Sequence, residues 1–272
     1  METGMRESYG PAADRLAEYA AQASVESLTR VARELQSVAD LLAREPRLRR
    51  ALVDPAREAS DRADLVRTLL RSKVDEETVA LVEVLVSQRW PGPNALRDAT
   101  ERLAVDALLA SAGKSDELGE VEDELFRFGQ LVEAAPDLSA ALSDPTAPVQ
   151  QRGDLAAGLL DGKARAVTIQ LVRLALAGFG GRSFSASLSR LVELTAAARE
   201  RTVAYVTSAV PLTEADEEQL GAALAQRYGR QVSVRVTVDP EILGGLSVQI
   251  GSDLYDGTIL RRLTEARAAL TR

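Results

Sequence analysis

The chain contains no cysteine and no histidine, and only 4% of its 272 residues are aromatic. Without these two residue types there can be no disulfide framework, thiolate nucleophile, imidazole base or Cys/His zinc site. The lack of cysteine also fits a reducing compartment. Because 46% of the residues are hydrophobic but few are aromatic, a packed core must consist mainly of Leu, Val and Ala, as in helical bundles.

Basic stretches and long apolar runs are also missing. The net charge is −8, and an acidic chain without a basic stripe is repelled by nucleic acid and by anionic membranes. The longest apolar runs, residues 79–86 and 167–178, contain Glu83 and Arg173 and are shorter than the roughly 20 residues of a membrane-spanning helix. The first ten residues lack the features of a signal peptide. The sequence therefore predicts a soluble protein that stays in the cytoplasm.

The sequence does contain an internal repeat, because residues 34–70 match residues 124–160 without a gap at a shift of 90. The matched pairs include Pro46/Pro136, Asp54/Asp144, Pro55/Pro145 and Arg62/Arg152, and the same register continues beyond this range to Lys73/Lys163. Two unrelated Leu/Ala-rich helices would share leucines by composition, but not prolines and charged residues in one register. A fixed period indicates a repeated structural unit.

Each repeat has the pattern of a helical bundle. In the first, apolar residues recur at three- and four-residue steps from Val25 to Leu42, which predicts a helix with Ser24 as its N-cap and Pro46 after its end. Further helices are predicted at 48–53, 61–71 and 79–88, and the second repeat follows the same order. We therefore expect two tandem bundles, at residues 1–98 and 99–200.

The pattern changes after residue 201. Residues 202–210 are rich in β-branched side chains, and valines alternate with polar residues in 231–238, so both are predicted strands. Thr213 and Asp216 form a capping-box pattern before a helix, and a further strand is expected at 246–250. Asp256-Gly257 is a predicted turn, with Thr258 capping a last helix. The predicted fold is thus mostly α: two tandem helical bundles followed by a small β-α-β-β-α domain at 201–272.

Few residues are candidates for chemistry. The run Gly178–Ser183 resembles a phosphate loop, but it lacks a preceding strand and the Gly-Lys-Ser/Thr ending, which favours an interhelical turn. The acidic segment Glu117–Glu124 lacks calcium-loop spacing and is predicted to be a solvated surface. Trp90 is expected to be a packed anchor, and Arg261-Arg262 either a contact pair or a solvated pair. No motif supports catalysis, a cofactor or a metal.

Three C-terminal segments carry a family resemblance: Thr207-Ser-Ala-Val-Pro-Leu212, Val238-Asp-Pro-Glu-Ile-Leu-Gly-Gly-Leu-Ser-Val-Gln-Ile-Gly251 and Tyr255-Asp-Gly-Thr-Ile-Leu-Arg-Arg-Leu263. In this order they resemble the end of the delta subunits of F-type ATP synthases, a family that includes the mitochondrial oligomycin sensitivity conferral protein. The motif residues are Gly244, Gly245, Gly251, Asp256, Gly257, Arg261 and Leu263. Ordinary members of the family have one helical domain. This chain has two, and in this respect it resembles the long delta subunits of actinobacteria.

The resemblance implies a non-catalytic stator subunit without a cofactor, acting during proton-driven ATP synthesis at the cytoplasmic face of the bacterial plasma membrane. Its implied partners are the N-terminal helices of the alpha subunits, bound by the helical domain, and the end of the peripheral-stalk b subunit, held by the C-terminal domain. A partner helix would lie in a groove between the helices near 103–112 and 164–177. Its expected floor residues are Val167, Leu171, Leu174, Ala107 and Leu108, which would otherwise be ordinary core.

Two other functions agree with the composition. A cytoplasmic helical adaptor unrelated to ATP synthesis would share the bundles, but it would have no reason to carry the 238–263 motif. An acid/base enzyme would need perturbed carboxylates converging on a pocket, and no spacing in the sequence indicates them. For the first repeat, we expect an additional contact with the stalk or with the catalytic head.

Overall fold

The computed structural model describes residues 3–200, 203–228, 232–239, 244–250 and 253–257. The chain forms two compact units, Met1–Thr195 and Ala196–Arg272. The first is helical, and the second combines a helix with a small sheet. The predicted fold class, mostly α with a duplicated helical part and a small α+β part, is therefore confirmed.

The helices of the first unit follow one another through short connections. They are α1 (Thr3–Gln22), α2 (Val25–Arg44), α3 (Pro46–Leu52), α4 (Ala59–Leu70), α5 (Glu76–Ser87), α6 (Pro93–Lys114), α7 (Leu118–Ala134), α8 (Pro136–Ser143), α9 (Val149–Leu160), α10 (Ala166–Leu176) and α11 (Phe184–Glu200), with a 3₁₀ turn at Phe179–Gly181. Ser24 caps α2 as predicted, since its hydroxyl accepts a hydrogen bond from the Ser27 N–H at 3.1 Å.

The 90-residue repeat is visible in the helices, since α2, α3, α4 and α5 recur as α7, α8, α9 and α10. Between the two sets lies α6, which follows α5 as α11 follows α10, and precedes α7 as α1 precedes α2. It packs most extensively against α2 and also contacts α1 and α5 of the first repeat and α7 and α10 of the second. The two bundles therefore share one helix, and the sequence-based boundary after residue 98 falls inside it.

Sharing a helix requires that it be buried on nearly every side. Its buried positions include several alanines, whose small side chains allow neighbouring helices to approach closely. They are Ala95, Ala99, Ala104, Ala107 and Ala112. Between them, Leu96 and Leu103 are fully buried and supply the larger apolar contacts.

One polar contact is duplicated with the helices. Glu34 on α2 accepts hydrogen bonds from the Thr78 hydroxyl at 2.5 Å and from the Asp75 N–H at 3.0 Å. Ninety residues later, Glu124 on α7 accepts from the Thr168 hydroxyl at 2.5 Å and from the backbone at the start of α10 at 2.9 Å. Each carboxylate thus satisfies free N–H groups at a helix N-terminus, where the helix dipole favours negative charge.

A neighbouring ion pair is conserved in position but reversed in sign between the repeats. Arg30 contacts Asp75 at 2.6 Å in the first repeat, and at the equivalent positions Glu120 contacts Arg165 at 3.2 Å. Arg165 also contacts Glu117 at 3.0 Å. The acidic segment 117–124 is therefore only in part the solvated surface that the sequence predicted, because three of its carboxylates bind the start of α10.

Arg62 on α4 is a buried cation, only 6% exposed, that holds the turn before α4 against the end of α5. Its guanidinium donates to the carbonyls of Arg57 at 2.6 Å, Val86 at 2.8 Å and Asp54 at 3.2 Å. The last carbonyls of a helix have no partner within the helix, so a buried donor there replaces water.

The second unit contains β1 (Val203–Ser208), α12 (Glu214–Tyr228), β2 (Ser233–Val238), β3 (Leu246–Ile250) and β4 (Asp253–Asp256). The strand order is β2-β1-β3-β4, with β1 parallel to β2 and the other pairs antiparallel. Buried residues of the sheet and of α12 form its core, namely Val206, Leu224, Val232 and Val248. The capping box at the start of α12 is confirmed, with reciprocal bonds of 3.2 Å between Thr213 and Asp216.

The C-terminal end differs from the sequence-based prediction in one element. No strand was predicted at Asp253–Asp256, and Asp256 was expected in a turn, whereas it is the last residue of β4 and Gly257 follows it. The Gly257 N–H donates to the Leu246 carbonyl at 3.0 Å, which extends the pairing between β3 and β4. The helix predicted after Thr258 lies outside the described residues.

We expect Arg62→Met to lower the free energy of unfolding by roughly 2–3 kcal/mol, because several buried carbonyls lose their donor at once. Arg67→Met on the same helix is the matched control, since the Arg67 side chain is 51% exposed and its ion pairs are worth about 0–1 kcal/mol. Urea unfolding of the two variants measures the difference. Equal losses would show that the Arg62 hydrogen bonds do not hold α4 in place.

Candidate helix-binding surface

A cavity of about 650 Å³ in the helical unit lies between the two repeats. One wall is a stripe on α2 that runs from Ala32 through Gln36 and Asp40 to Ala43. These positions share a helix face and span roughly 17 Å at 1.5 Å per residue. The opposite wall is formed by α9 and α10 of the second repeat. The cavity is therefore long enough to receive about three turns of a partner helix.

Apolar residues lie along this cavity and cationic residues lie at its edges. Leu108 of α6 and Leu174 of α10 contribute to the lining, and Val149 at the start of α9 is 45% exposed there. Arg33, Arg44 and Arg173 lie along the same walls, together with one acidic side chain, Asp40, and Arg173 is paired with Asp154 at 3.1 Å. The rim thus has an excess of positive charge, although the whole chain is acidic.

The structure brings some of the predicted groove residues to this cavity and places others in the core. The five residues Val167, Leu171, Leu174, Ala107 and Leu108 are between 0% and 7% exposed. Of these, Leu108 and Leu174 line the cavity. The contributions of α2 and α9 to the walls of this cavity were not predicted from the sequence. The polar stripe of α2 and the exposed Val149 carry no periodic signal that distinguishes a cavity wall from a solvated face.

A glycine-rich turn closes one end of this region. Gly178, Gly180 and Gly181 have φ values of 85°, 62° and 71°, a backbone region that residues with a Cβ rarely adopt. The Gly180 N–H donates to a carboxylate oxygen of Glu101 on α6 at 2.8 Å. This segment connects α10 to α11, so the prediction of an interhelical turn is confirmed. Trp90 is also a packed anchor, since its indole N–H donates to the Leu85 carbonyl at 2.7 Å.

Two carboxyl groups of the α2–α6 contact have a pKa above its ordinary value. Burial raises the pKa of Asp40, against the opposing effect of a hydrogen bond from Gln36. Burial also raises the pKa of Glu101, and the negative charges of Asp98 and Asp40 add to the shift. The α2–α6 contact therefore holds two carboxylates whose ionised forms are disfavoured, and it would be stabilised by a cationic ligand or by protonation.

The backbone conformation explains why two motif positions of the second unit are glycine. Gly244 and Gly245 have φ values of 123° and 86° immediately before β3, so a side chain at either position would strain the backbone. Nearby, the Tyr228 and Tyr255 hydroxyl groups are 3.0 Å apart, and the Arg227 guanidinium lies 4.8 Å from the centre of the Tyr255 ring. Gly251, Arg261 and Leu263 lie outside the described residues.

The part of the chain that the structure describes contains no group of three or more acidic side chains placed to hold a metal ion. None of its described helices is long and apolar enough to cross a membrane. A helical scaffold with a long, mainly apolar cavity is the arrangement by which proteins bind an amphipathic partner helix. The helical unit is thus a scaffold of two stacked repeats with an elongated cavity between them.

The chain belongs to the ATP synthase delta (OSCP) subunit family, whose model matches residues 9–90 and 105–270. The first match covers the first helical repeat, and the second covers the second repeat together with the C-terminal unit, as a duplicated helical bundle requires. The resemblance found in the sequence is therefore confirmed.

Similar proteins span nearly the whole chain. The ATP synthase subunit delta of Salinispora tropica is 59% identical over 267 residues, which cover 98% of this chain and 97% of the relative. The subunit delta of Streptomyces griseus is 43% identical over 266 residues, 98% of each chain. That of Kineococcus radiotolerans is 45% identical over 237 residues, 87% of this chain and 86% of the relative.

The raised pKa of Asp40 predicts a pH-dependent effect on stability. Its folded-state pKa lies above the unfolded value, so ionisation disfavours folding at pH 7, and this cost disappears as the pH falls through the folded-state pKa. We expect Asp40→Asn to raise the urea midpoint at pH 7 and the gain to shrink as the pH approaches about 4.

The control is Glu18→Gln, which removes the same charge from an exposed position on α1. It corrects for the general relief of self-repulsion in a chain of net charge −8. An Asp40→Asn gain that equals the control at every pH would show that the local environment of Asp40 has no part in it.

Proposed function

We propose that this protein is a non-catalytic stator subunit of an F-type ATP synthase, at the cytoplasmic face of the bacterial plasma membrane. It would link the alpha subunits of the catalytic head to the b subunit of the peripheral stalk. The observation that carries the proposal, beside the family membership, is the elongated cavity with an apolar floor and an arginine-rich rim in the helical unit. A stator needs slow dissociation from its partners rather than chemistry, and buried helix contacts provide it.

The N-terminal helix of an alpha subunit would lie in the cavity bounded by α2, α6, α9 and α10. Leu108, Leu174 and Val149 would contact its apolar face. Arg33, Arg44 and Arg173 would face acidic side chains along its edge, because opposite charges favour encounter and orientation. In this arrangement the first repeat contributes a wall of the site through α2, which is a concrete form of the additional contact expected from the sequence.

The C-terminal unit would hold the end of the b subunit. Val210, which follows β1, is 62% exposed, and Val238, at the end of the parallel neighbour β2, is 42% exposed. Exposed apolar side chains that lie together are typical of a protein contact. Two attachment points on one chain increase the effective concentration of each partner at its site, so modest contacts combine into strong attachment.

A helical adaptor outside ATP synthesis would share the bundles but would not account for the family match along both repeats and the C-terminal unit. The two functions differ in their partner, so binding of an alpha-subunit helix distinguishes them.

The test is calorimetric titration of the full chain with a peptide that covers the N-terminal helix of the alpha subunit. We expect saturable binding that Val149→Asp weakens at least about tenfold, a loss of about 1.4 kcal/mol. Asp at the first position of a helix does not itself destabilise the fold, because it complements the dipole. Leu155→Asp is the matched control, since Leu155 is 43% exposed on the same helix but does not line the cavity.

Equal loss in the two variants would place the peptide elsewhere on the helical unit. Absence of binding by the unmodified chain, both to this peptide and to a peptide from the end of the b subunit, would overturn the stator proposal and favour the adaptor.

A further inference from the structure

A second groove, about 300 Å³, lies between α7 and α11 of the second repeat. Its floor is apolar and includes Leu125, Val132, Phe184 and Leu188, all of them buried. Phe126 stands at its edge with 54% of its surface exposed, so the described part of the chain leaves this groove open. No part of the proposed contact with the alpha or b subunits uses it.

The first repeat shows what such a groove binds. At a shift of 90, the groove residues Phe126, Gln130 and Glu133 of α7 correspond to Gln36, Asp40 and Ala43 of α2. Those α2 residues line the cavity that lies between α2 and α10, while α10 and the turn after it contact α6, the counterpart of α11. The Gly180 N–H bound to Glu101 fixes that turn to α6. In stacked repeats, each unit buries its apolar face against the next one, and the last unit is left uncovered.

Two residues at the open groove differ in character from their counterparts in the first repeat. Where α2 has Gln36 and Ala43, α7 has Phe126 and Glu133 on the same helix face. A terminal repeat that only met water would be expected to be more polar at the first of these positions, yet an aromatic residue replaces a glutamine there. An exposed aromatic side chain flanked by charged residues is typical of the centre of a protein interface.

The charge of the groove indicates the chemistry of its partner. Helix α7 has five acidic residues and one basic residue, whereas α2 has three of each. Among the described residues, the groove lining contains two acidic side chains, Glu133 and Glu193, and no lysine or arginine. On α11, Glu193 lies within 2.6 Å of Arg190 and adds little net charge. An anionic membrane surface or nucleic acid would be repelled by this face.

We propose that the α7–α11 groove binds a basic amphipathic helix of another ATP synthase subunit, which packs against α11 as α10 packs against α6. Its apolar side chains would pack on Phe126 and Leu188, and its lysine or arginine residues would face Glu133. The proposal rests on the family membership but not on the cavity between α2 and α10. Each surface has its own variants, so either proposal can fail without the other.

The direct test places a photoreactive phenylalanine analogue at position 126 (Phe126→p-benzoylphenylalanine) in the purified, assembled enzyme. After irradiation, mass spectrometry identifies the crosslinked peptide. The matched control is the same substitution at Leu131, which is 49% exposed on α7 but does not line the groove. We expect an adduct from position 126 in a helical segment rich in lysine or arginine and at least about tenfold less of it from position 131. An adduct in an acidic or non-helical segment, or equal yields from the two positions, would overturn the proposal.

A second measurement does not depend on crosslinking. Phe126→Asp should raise the loss of this subunit from the assembled enzyme during a salt wash at least about tenfold, while Leu131→Asp should not. Both positions are exposed, so the urea midpoints of the isolated variants should equal that of the unmodified chain. Glu133→Lys should act in the same direction as Phe126→Asp, because it reverses the charge that faces the basic helix. Retention of all three variants at the unmodified level would contradict the proposal.

Discussion

The helical unit depends on one constraint: α6 belongs to two bundles at once and must be buried from both sides. Its alanines allow α2 to lie close along it, and Leu96 and Leu103 supply the larger contacts of the shared core. Because α6 cannot move relative to one repeat without disturbing the other, the two repeats are held together as one scaffold. A surface formed by both repeats is therefore held in place by the shared helix.

The stacking of the repeats also explains where the grooves lie. The second repeat contacts α6 through α10 and the glycine-rich turn, and an elongated cavity remains between α2 and α10. The equivalent surface on α7 and α11 has no further repeat to cover it. One duplication thus produces two different grooves, one with an arginine-rich rim and one with acidic residues beside an exposed phenylalanine. Under the two proposals above, their opposite charges would select two different partner helices.

Much of the local structure could be predicted from the sequence because it depends on nearby residues. The N-cap at Ser24, the capping box at Thr213 and the repeat register each follow from short-range patterns. Contacts across the fold could not be predicted in this way. The role of Glu34 at the start of α5 depends on how two helices cross, and the short strand β4 is defined by its pairing with β3 rather than by its own residues. For the same reason, α2 was not recognised as a wall of the cavity.

The central claim is that both repeats together form the surface that holds a helix of the catalytic head. Hydrogen–deuterium exchange of the full chain, with and without the N-terminal peptide of the alpha subunit, tests it most directly, since exchange reports local protection along the whole backbone. If both repeats form the site, we expect the peptide to slow hydrogen–deuterium exchange in α2 of the first repeat as well as in α9 and α10 of the second. Protection confined to the second repeat would contradict it, because α2 would then be no part of the site.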